Sequence, residues 1–358
     1  MSRALCFWQN MPAIHQVPYQ RELATMGYKV MLIADTEMLP ERAKMGWTRP
    51  DLGEIELRVG LSWEEKRRIL ETQPADAVNF VSGVRGCRDG GKVTDFCIAR
   101  GLRVGWIAET WDARGWKGFL RTLLYRAEAL KYRNKLSFIL AMGDKGVSAY
   151  TRVGYSKELL KRFWYVVDAP PAQTKKQQDK SDLIKICFVG QLCPRKGPDL
   201  LLEALSGIPG DWICDIVGNG EMSDALKKKA GTLNLSAKVN FVGAQSNERV
   251  FDFIRRADVF VLPSRWDGWG AVVNEALLCG TPVVCSDAAG AACVLDGELG
   301  SAFPSENATE LRKALERQIR LGPVSPEKRE RIRALAETRV SATAAAKFLR
   351  EEILTDAK

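Results

Sequence analysis

Short apolar runs recur along the chain, each followed by a stretch in which apolar residues return with helical spacing. In the first half the runs are ALCFW (Ala4 to Trp8), KVMLIA (Lys29 to Ala34), DAVNFVS (Asp76 to Ser82), RVGWIA (Arg103 to Ala108) and SFILAMG (Ser137 to Gly143). Unbroken runs of this kind fit strands buried on both faces. Helical patterns occupy His15 to Thr25, Lys92 to Arg100, Trp116 to Arg133 and Lys145 to Val153. Gly27 and Gly101 stand where the first two should stop, at positions that favour a positive φ.

Between Pro170 and Lys185 the alternation ceases. PPAQTKKQQDKSD is polar, proline-led and without large apolar residues, the composition of a linker. The alternation resumes in IKICFVG, WICDIVG, KVNFVG, ADVFVLP and TPVVCSD. From Ser325 the chain is charged and helical in pattern, and its last segment, VSATAAAKFLREEIL, packs on one domain or crosses back to the other. The pattern predicts an α/β protein with two doubly wound, Rossmann-like domains facing across a cleft. Their expected extents are 1–169, a linker over 170–184, 185–338, and a C-terminal helix over 339–358 that either stays with the second domain or crosses back to the first.

Composition narrows the class. The 358 residues are 46% hydrophobic and 27% charged, enough apolar content for two cores without metal or disulfide staples. Lys and Arg outnumber Asp and Glu by 53 to 44, a net +9 that suits an anionic partner. The nine cysteines include no C-x-x-C pair and sit mostly in apolar runs, which fits free thiols in a reducing compartment. The opening MSRALCFWQNMPAIHQ reads as a first strand and not as a signal peptide, and no apolar stretch is long enough to span a bilayer. A cytoplasmic protein is expected, with a peripheral position on the inner face of the cell membrane as its refinement.

Ligands of doubly wound sheets bind where loops leave the carboxyl ends of strands. After IKICFVG comes QLCPRKGPDLLLEAL, a loop with Arg195 and Lys196 before a helix start; cationic side chains and unpaired backbone N–H groups suit a diphosphate, although a basic solvated turn fits as well. VGNGE (Gly218 to Glu221) and FVG (Phe241 to Gly243) follow later strands and are weak signals alone. The richest segment is VLPSRWDGWGAVVNEALLCGTPVVCSD (Val261 to Asp287). Its glycine-rich loop carries Asp267, and the following helix carries Glu275 in an apolar setting where a lone surface acid is unexpected. Two such acceptors suit the vicinal hydroxyls of a sugar and a ribose.

With these residues in view, the stretch Ile184 to Phe303 resembles the donor domain of retaining group 1 (family 4) glycosyltransferases of the GT-B fold, in the branch that builds surface polysaccharide or lipopolysaccharide. The hallmark is a pair of acids spaced E-x7-E within PSxxEGxGxxxxEAxxxGxPV; here Asp267 and Glu275 take those places and the glycines and Pro282 are retained. The resemblance implies that Lys196 stabilises the departing diphosphate, that Glu275 accepts from ribose hydroxyls and that Asp267 accepts from hydroxyls of the transferred sugar. Lys196, Asp267 and Glu275 are thus the expected catalytic residues. Gln191, Arg195, Gly218, Gly243, Gly268, Trp269 and Gly270 are the expected donor-binding set, with backbone N–H groups of 268–270 holding sugar and phosphate. Two positions depart from the pattern: Gln191 stands where Arg is usual, and Asp267 is one methylene shorter than Glu.

The first half would then bind the acceptor. His15 is the chain's single histidine and reads more readily as a helix-start residue than as a cleft contact. WIAETWD offers Glu109 and Asp112 as acceptor or sugar contacts, with no dedicated base required by the front-face substitution that the resemblance implies. RGWKGFLRTLLYRAEALKYRNK mixes basic with large apolar residues. Its helix, over 116–135, fits an anionic membrane surface or, equally, a core-packed helix with a solvated basic face. The expected reaction is metal-independent transfer of a hexose-type sugar from a nucleotide-diphosphate sugar to a saccharide or lipid-linked saccharide, with no cofactor. A nucleotide-sugar epimerase and a binding subunit with a decayed site are the alternatives. Nucleic acid is not expected as a partner, since no recognition motif accompanies the charge.

Overall fold

The apolar runs of the first half become strands of one parallel sheet: β1 (Ala4–Gln9), β2 (Lys29–Ala34), β3 (Glu56–Val59), β4 (Val78–Val81), β5 (Arg103–Ala108), β6 (Phe138–Met142) and β7 (Leu160–Phe163). The structure is a computed structural model that describes residues 3–44, 48–168, 170 and 183–355. It divides into a first unit, Met1–Asp168 with Ala342–Lys358, and a second, Ala169–Ser341. The linker expected over 170–184 lies outside the described residues apart from 170, 183 and 184, and Ile184 already belongs to a strand.

In the first unit the sheet order is β3-β2-β1-β4-β5-β6-β7. Its helices are α1 (Val17–Thr25), α2 (Pro40–Lys44), α3 (Trp63–Glu71), α4 (Gly90–Ala99), α5 (Gly115–Tyr132) and α6 (Gly143–Val153). Helix α1 begins at Val17 and not at His15: Gln16 has the non-helical φ of a cap, and Pro18 fills a first-turn position where its missing N–H costs nothing. Helix α3 is fixed by a capping box, Ser62 accepting from the Glu65 N–H while Glu65 accepts from the Ser62 N–H at 2.8 Å.

Lys66, on α3, is 2% exposed and fully occupied. Its ammonium donates to Asp35, Asp89 and the Arg88 carbonyl, each at 3.2 Å. Asp35 follows β2 and Asp89 precedes α4, so one buried cation joins the loops at the carboxyl ends of two strands. Burial alone would raise the Asp89 carboxyl, but its bonds to Lys92 and Lys66 outweigh it and hold the group below the usual range.

The second unit repeats the design with β8 (Ile184–Val189), β9 (Trp212–Val217), β10 (Val239–Gly243), β11 (Val259–Leu262), β12 (Val283–Ser286) and β13 (Gly300–Phe303) in the order β10-β9-β8-β11-β12-β13. Around it lie α7 (Pro198–Leu205), α8 (Ser223–Thr232), α9 (Asn247–Arg256), α10 (Val272–Leu278), α11 (Ala308–Arg320) and α12 (Pro326–Val340). Its core joins strand residues Phe188, Ile216 and Val261 to Leu201 and Leu315 from the helices. All strand pairs are parallel, and the winding reverses between β8 and β11 as it does between β1 and β4. Such a reversal leaves a crevice at the carboxyl ends of the two middle strands.

The last helix, α13 (Ala342–Glu352), belongs to the first unit, so the chain returns after Ser341 rather than after residue 338. Ala345, Ala346, Leu349 and Ile353 are buried in the core that holds Leu5, Val17 and Leu23. The Phe348 ring lies 5.8 Å from that of Phe163, and Arg3 and Arg103 donate to the carbonyls of Leu354 and Ile353. The nine cysteines are unpaired, and among the described residues no helix is long and apolar enough to cross a membrane.

Candidate active site

The crevice between β8 and β11 is formed by the loops that leave them. After β8 the chain runs through Gly190 and Gln191 into a single 3-10 turn, Pro194–Lys196, and then into α7. The turn ends at Gly197 with φ of 67°, and a Cβ there would meet the Pro263 carbonyl oxygen at 2.1 Å. Only glycine lets the turn pass this close to the end of β11. Gly218, at φ 136°, does the same after β9, where a Cβ would lie 2.0 Å from the Gly190 oxygen. The loops are also tied to one another: Leu192 N–H donates to Asn219 O at 2.9 Å, and Gly218 N–H to Gly243 O at 2.9 Å.

Within this frame the Lys196 ammonium donates to Asp267 Oδ2 at 2.5 Å, with both side chains mostly buried. Arg195 lies farther out, 3.9 Å from the same oxygen, with its side chain 42% exposed. Glu275, on α10, is half-buried, and desolvation pushes its carboxyl up to about 7, while the nearby Lys196 charge pulls the other way. A cation and two acids thus share one crevice, and each is held by a different element. Gln191 is exposed at the mouth of the first loop.

The loop bearing Asp267 is held from below. Asp267 N–H donates to Ala288 O at 3.3 Å, Gly290 N–H to Asp267 O at 3.2 Å and Ala291 N–H to Trp269 O at 2.8 Å. The Trp269 indole is 2% exposed and donates to Asn274 Oδ1 at 3.0 Å. Trp269 can therefore offer a ligand only its backbone; its side chain anchors the loop to α10. Gly268 and Gly270 are buried beside it, and Gly243 ends β10 with φ of 79°.

Arg265, to which the sequence reading assigns no role, joins the two loops. Its guanidinium takes Asp199 in a two-pronged pair at 2.7 and 2.8 Å and donates to the Pro194 carbonyl at 2.7 Å. Its own N–H donates to Arg195 O at 2.8 Å. The sequence signal was slight: a basic residue two places before Asp267 and an acid in the first turn of α7.

Of the residues named in the first unit, His15 and Glu109 share the Tyr165 side chain as a neighbour, while Asp112 is taken up by its own turn. His15 lies in the turn before α1, half-buried, with its carbonyl accepting from Val166 N–H at 3.1 Å and its ring 6.0 Å from that of Tyr165. Glu109 follows β5, exposed, and its carbonyl accepts from the Tyr150 hydroxyl at 3.1 Å. Asp112 is engaged by Arg114, at 2.9 Å to each carboxylate oxygen and 3.1 Å from the Arg114 N–H, contacts that lower its carboxyl. It serves the turn that leads into α5. Among the described residues no group of His, Cys, Asp and Glu side chains is placed to hold a metal ion.

The chain resembles known proteins in sequence and in fold. Residues 171–339 match the family of glycosyl transferases group 1. That group 1 region is nearly the whole second unit. D-inositol 3-phosphate glycosyltransferase of Mycobacterium bovis is 34% identical over 167 residues, covering 44% of this chain and 33% of the relative. The chain therefore spans about a third of the length of the curated relatives it matches. In fold, the chain resembles Anabaena Alr3699/HepE in complex with UDP (TM-score 0.72, 15% identity, 98% of this chain and 99% of that one). It also resembles the lipopolysaccharide outer core galactosyltransferase WaaB (TM-score 0.71, 15% identity, 99% of each chain). The architecture is that of GT-B glycosyltransferases.

Proposed function

We propose that the chain is a retaining glycosyltransferase that takes a hexose-type sugar from a nucleotide diphosphate and delivers it to a saccharide or lipid-linked saccharide. The observation that carries the reading is the meeting of Lys196, Asp267 and Glu275 in the crevice where the winding of the second sheet reverses. A cation beside two acceptors suits a ligand with anionic phosphates at one point and hydroxyls on either side. The UDP complex of Anabaena Alr3699/HepE and the group 1 match of residues 171–339 support the same reading.

In the proposed reaction the bond from the anomeric carbon to the diphosphate oxygen breaks as the acceptor oxygen bonds on the same face. The acceptor proton passes to the departing phosphate, whose negative charge Lys196 stabilises. Asp267 orients the sugar and Glu275 the ribose. Transfer needs no metal and no cofactor. Polysaccharide or lipopolysaccharide assembly at the cytoplasmic face is the proposed setting.

The test is titration of the whole chain with UDP-, GDP- and ADP-sugars, followed by transfer assays with chelator present and proton NMR of the product anomer. Binding of one donor and a product of unchanged anomeric configuration are expected. Inversion would overturn the retaining mechanism, donor binding without transfer to any acceptor would favour a decayed subunit, and epimerised donor without acceptor would favour an epimerase.

A further inference from the structure

Helix α5 touches the first unit along one narrow stripe. Gly118, Ala129 and Tyr132 are buried and Thr122 and Tyr125 half-buried, a set recurring every three or four residues and hence one face of the helix. That face is pinned: Thr122 Oγ1 accepts from Trp111 Nε1 at 3.0 Å, Tyr125 stacks on Trp111 at 4.0 Å, and the Tyr132 hydroxyl donates to Asp95 at 3.0 Å.

The large apolar residues are not on that stripe. Trp116, Phe119, Leu120, Leu123, Leu124 and Leu130 are 43–73% exposed, six of the seven large apolar side chains exposed among the described residues. At 3.6 residues per turn they cluster on the side opposite the buried stripe. Lys117 and Arg121 lie along one flank of the apolar face, and Arg126 and Arg133 along the other. The one acid of the helix, Glu128, is turned to Arg85 and only 15% exposed. An apolar face this concentrated is rare on a soluble surface without a partner.

We infer that this outward face of α5 docks the protein on an anionic lipid bilayer surface, the helix lying in the plane with its apolar side chains among the acyl chains and its flanking cations at the headgroups. Charge selects this occupant. Cations on both flanks, with the half-exposed Asp95 beside the helix already paired to Lys131, match a negative sheet, whereas a second copy of the same helix would bring like charges together. The structure thus separates two readings that the sequence leaves equal, because a core-packed helix would turn these leucines inward.

The test is co-sedimentation of the whole chain with phosphatidylcholine vesicles with and without phosphatidylglycerol, at low and high salt and without donor. Binding to anionic vesicles that weakens with salt is expected. Leu123→Glu with Leu124→Glu should weaken it roughly tenfold or more. Lys117→Glu with Arg126→Glu should weaken it about fivefold or more per position. Melting temperature and nucleotide binding of both variants should match the parent, since the altered side chains face solvent. Absence of binding, equal binding to neutral vesicles, binding unchanged in the variants, or a dimer in solution that Leu123→Glu with Leu124→Glu dissociates would each overturn the inference. Donor binding is measured separately, so failure here leaves the proposed transfer reaction standing.

Discussion

The Lys196 ammonium and the Asp267 carboxylate hold each other at 2.5 Å, although 71 residues separate them and each belongs to a different loop. The cation proposed for phosphate and the acid proposed for sugar thus neutralise one another before any donor arrives. A diphosphate, carrying more negative charge, can replace Asp267 at the ammonium and leave the carboxylate to accept from a hydroxyl. Donor binding would exchange one partner for another without stranding either charge.

Replacing Lys196 by Ala removes the cation bonded to Asp267 in the crevice. A hydrogen bond to a charged group contributes about 1.5–3 kcal/mol, so UDP affinity should fall about 10- to 100-fold with the fold intact. Calorimetric titration reads this directly, and unchanged affinity would remove Lys196 from the phosphate site.

Asp267→Asn separates the two roles. Lys196 loses its resident anion and should hold UDP as tightly as before or more so, while transfer falls by about 100-fold or more for want of an acceptor at the sugar. If UDP affinity and turnover fall together, Asp267 shapes the site and does not act on the sugar.

Glu275 should make stability depend on pH. Below about 4.5 its carboxyl is neutral folded or unfolded, and it costs nothing. Between 4.5 and about 7 the unfolded chain releases the proton while the folded chain keeps it, so stability falls as pH rises. Above 7 the full cost, on the order of 3 kcal/mol, is present. Glu275→Gln should therefore match the parent at pH 4 and melt higher at pH 8; parallel melting curves across that range would contradict a desolvated carboxyl.

Arg265 is a positioning residue. Arg265→Ala and Asp199→Ala should lower UDP affinity and turnover by similar factors, and the double variant should be little worse than Arg265→Ala alone, since both break the same pair between the loops that carry Lys196 and Asp267. Arg265→Lys should not restore the loss, because an ammonium cannot make the two-pronged contact. Additive effects, or rescue by Lys, would refute this role.

The central strands of both sheets could be read as apolar runs, from β1 and β4 to β8 and β11, because they are covered on both faces. The strands passed over are edges: β3 (ELRV) and β7 (LKRF) in the first sheet and β13 (GSAF) in the second. With one neighbour each and mixed exposure, they carry too little apolar signal. Helix α3 was legible through its Ser62 and Glu65 box and was nonetheless passed over. At the candidate site, residue types and spacing pointed to Lys196, Asp267 and Glu275, but no spacing rule reveals that a pair so distant in sequence is bonded. Trp269 illustrates a second gap: the motif gives its backbone a role, but nothing in the spacing shows that its indole is a buried anchor on α10.

The return of α13 to the first unit bears on how the gene can be cut. Residues 169–341 form a contiguous segment that begins and ends with one unit, so it can be expressed as a fragment and offered nucleotides in isolation. A fragment ending at Asp168 would uncover the apolar bed of Val17 and Leu23 that Ala346 and Leu349 occupy, and should aggregate. Splicing 342–358 behind Asp168 with a flexible tether would restore its cover.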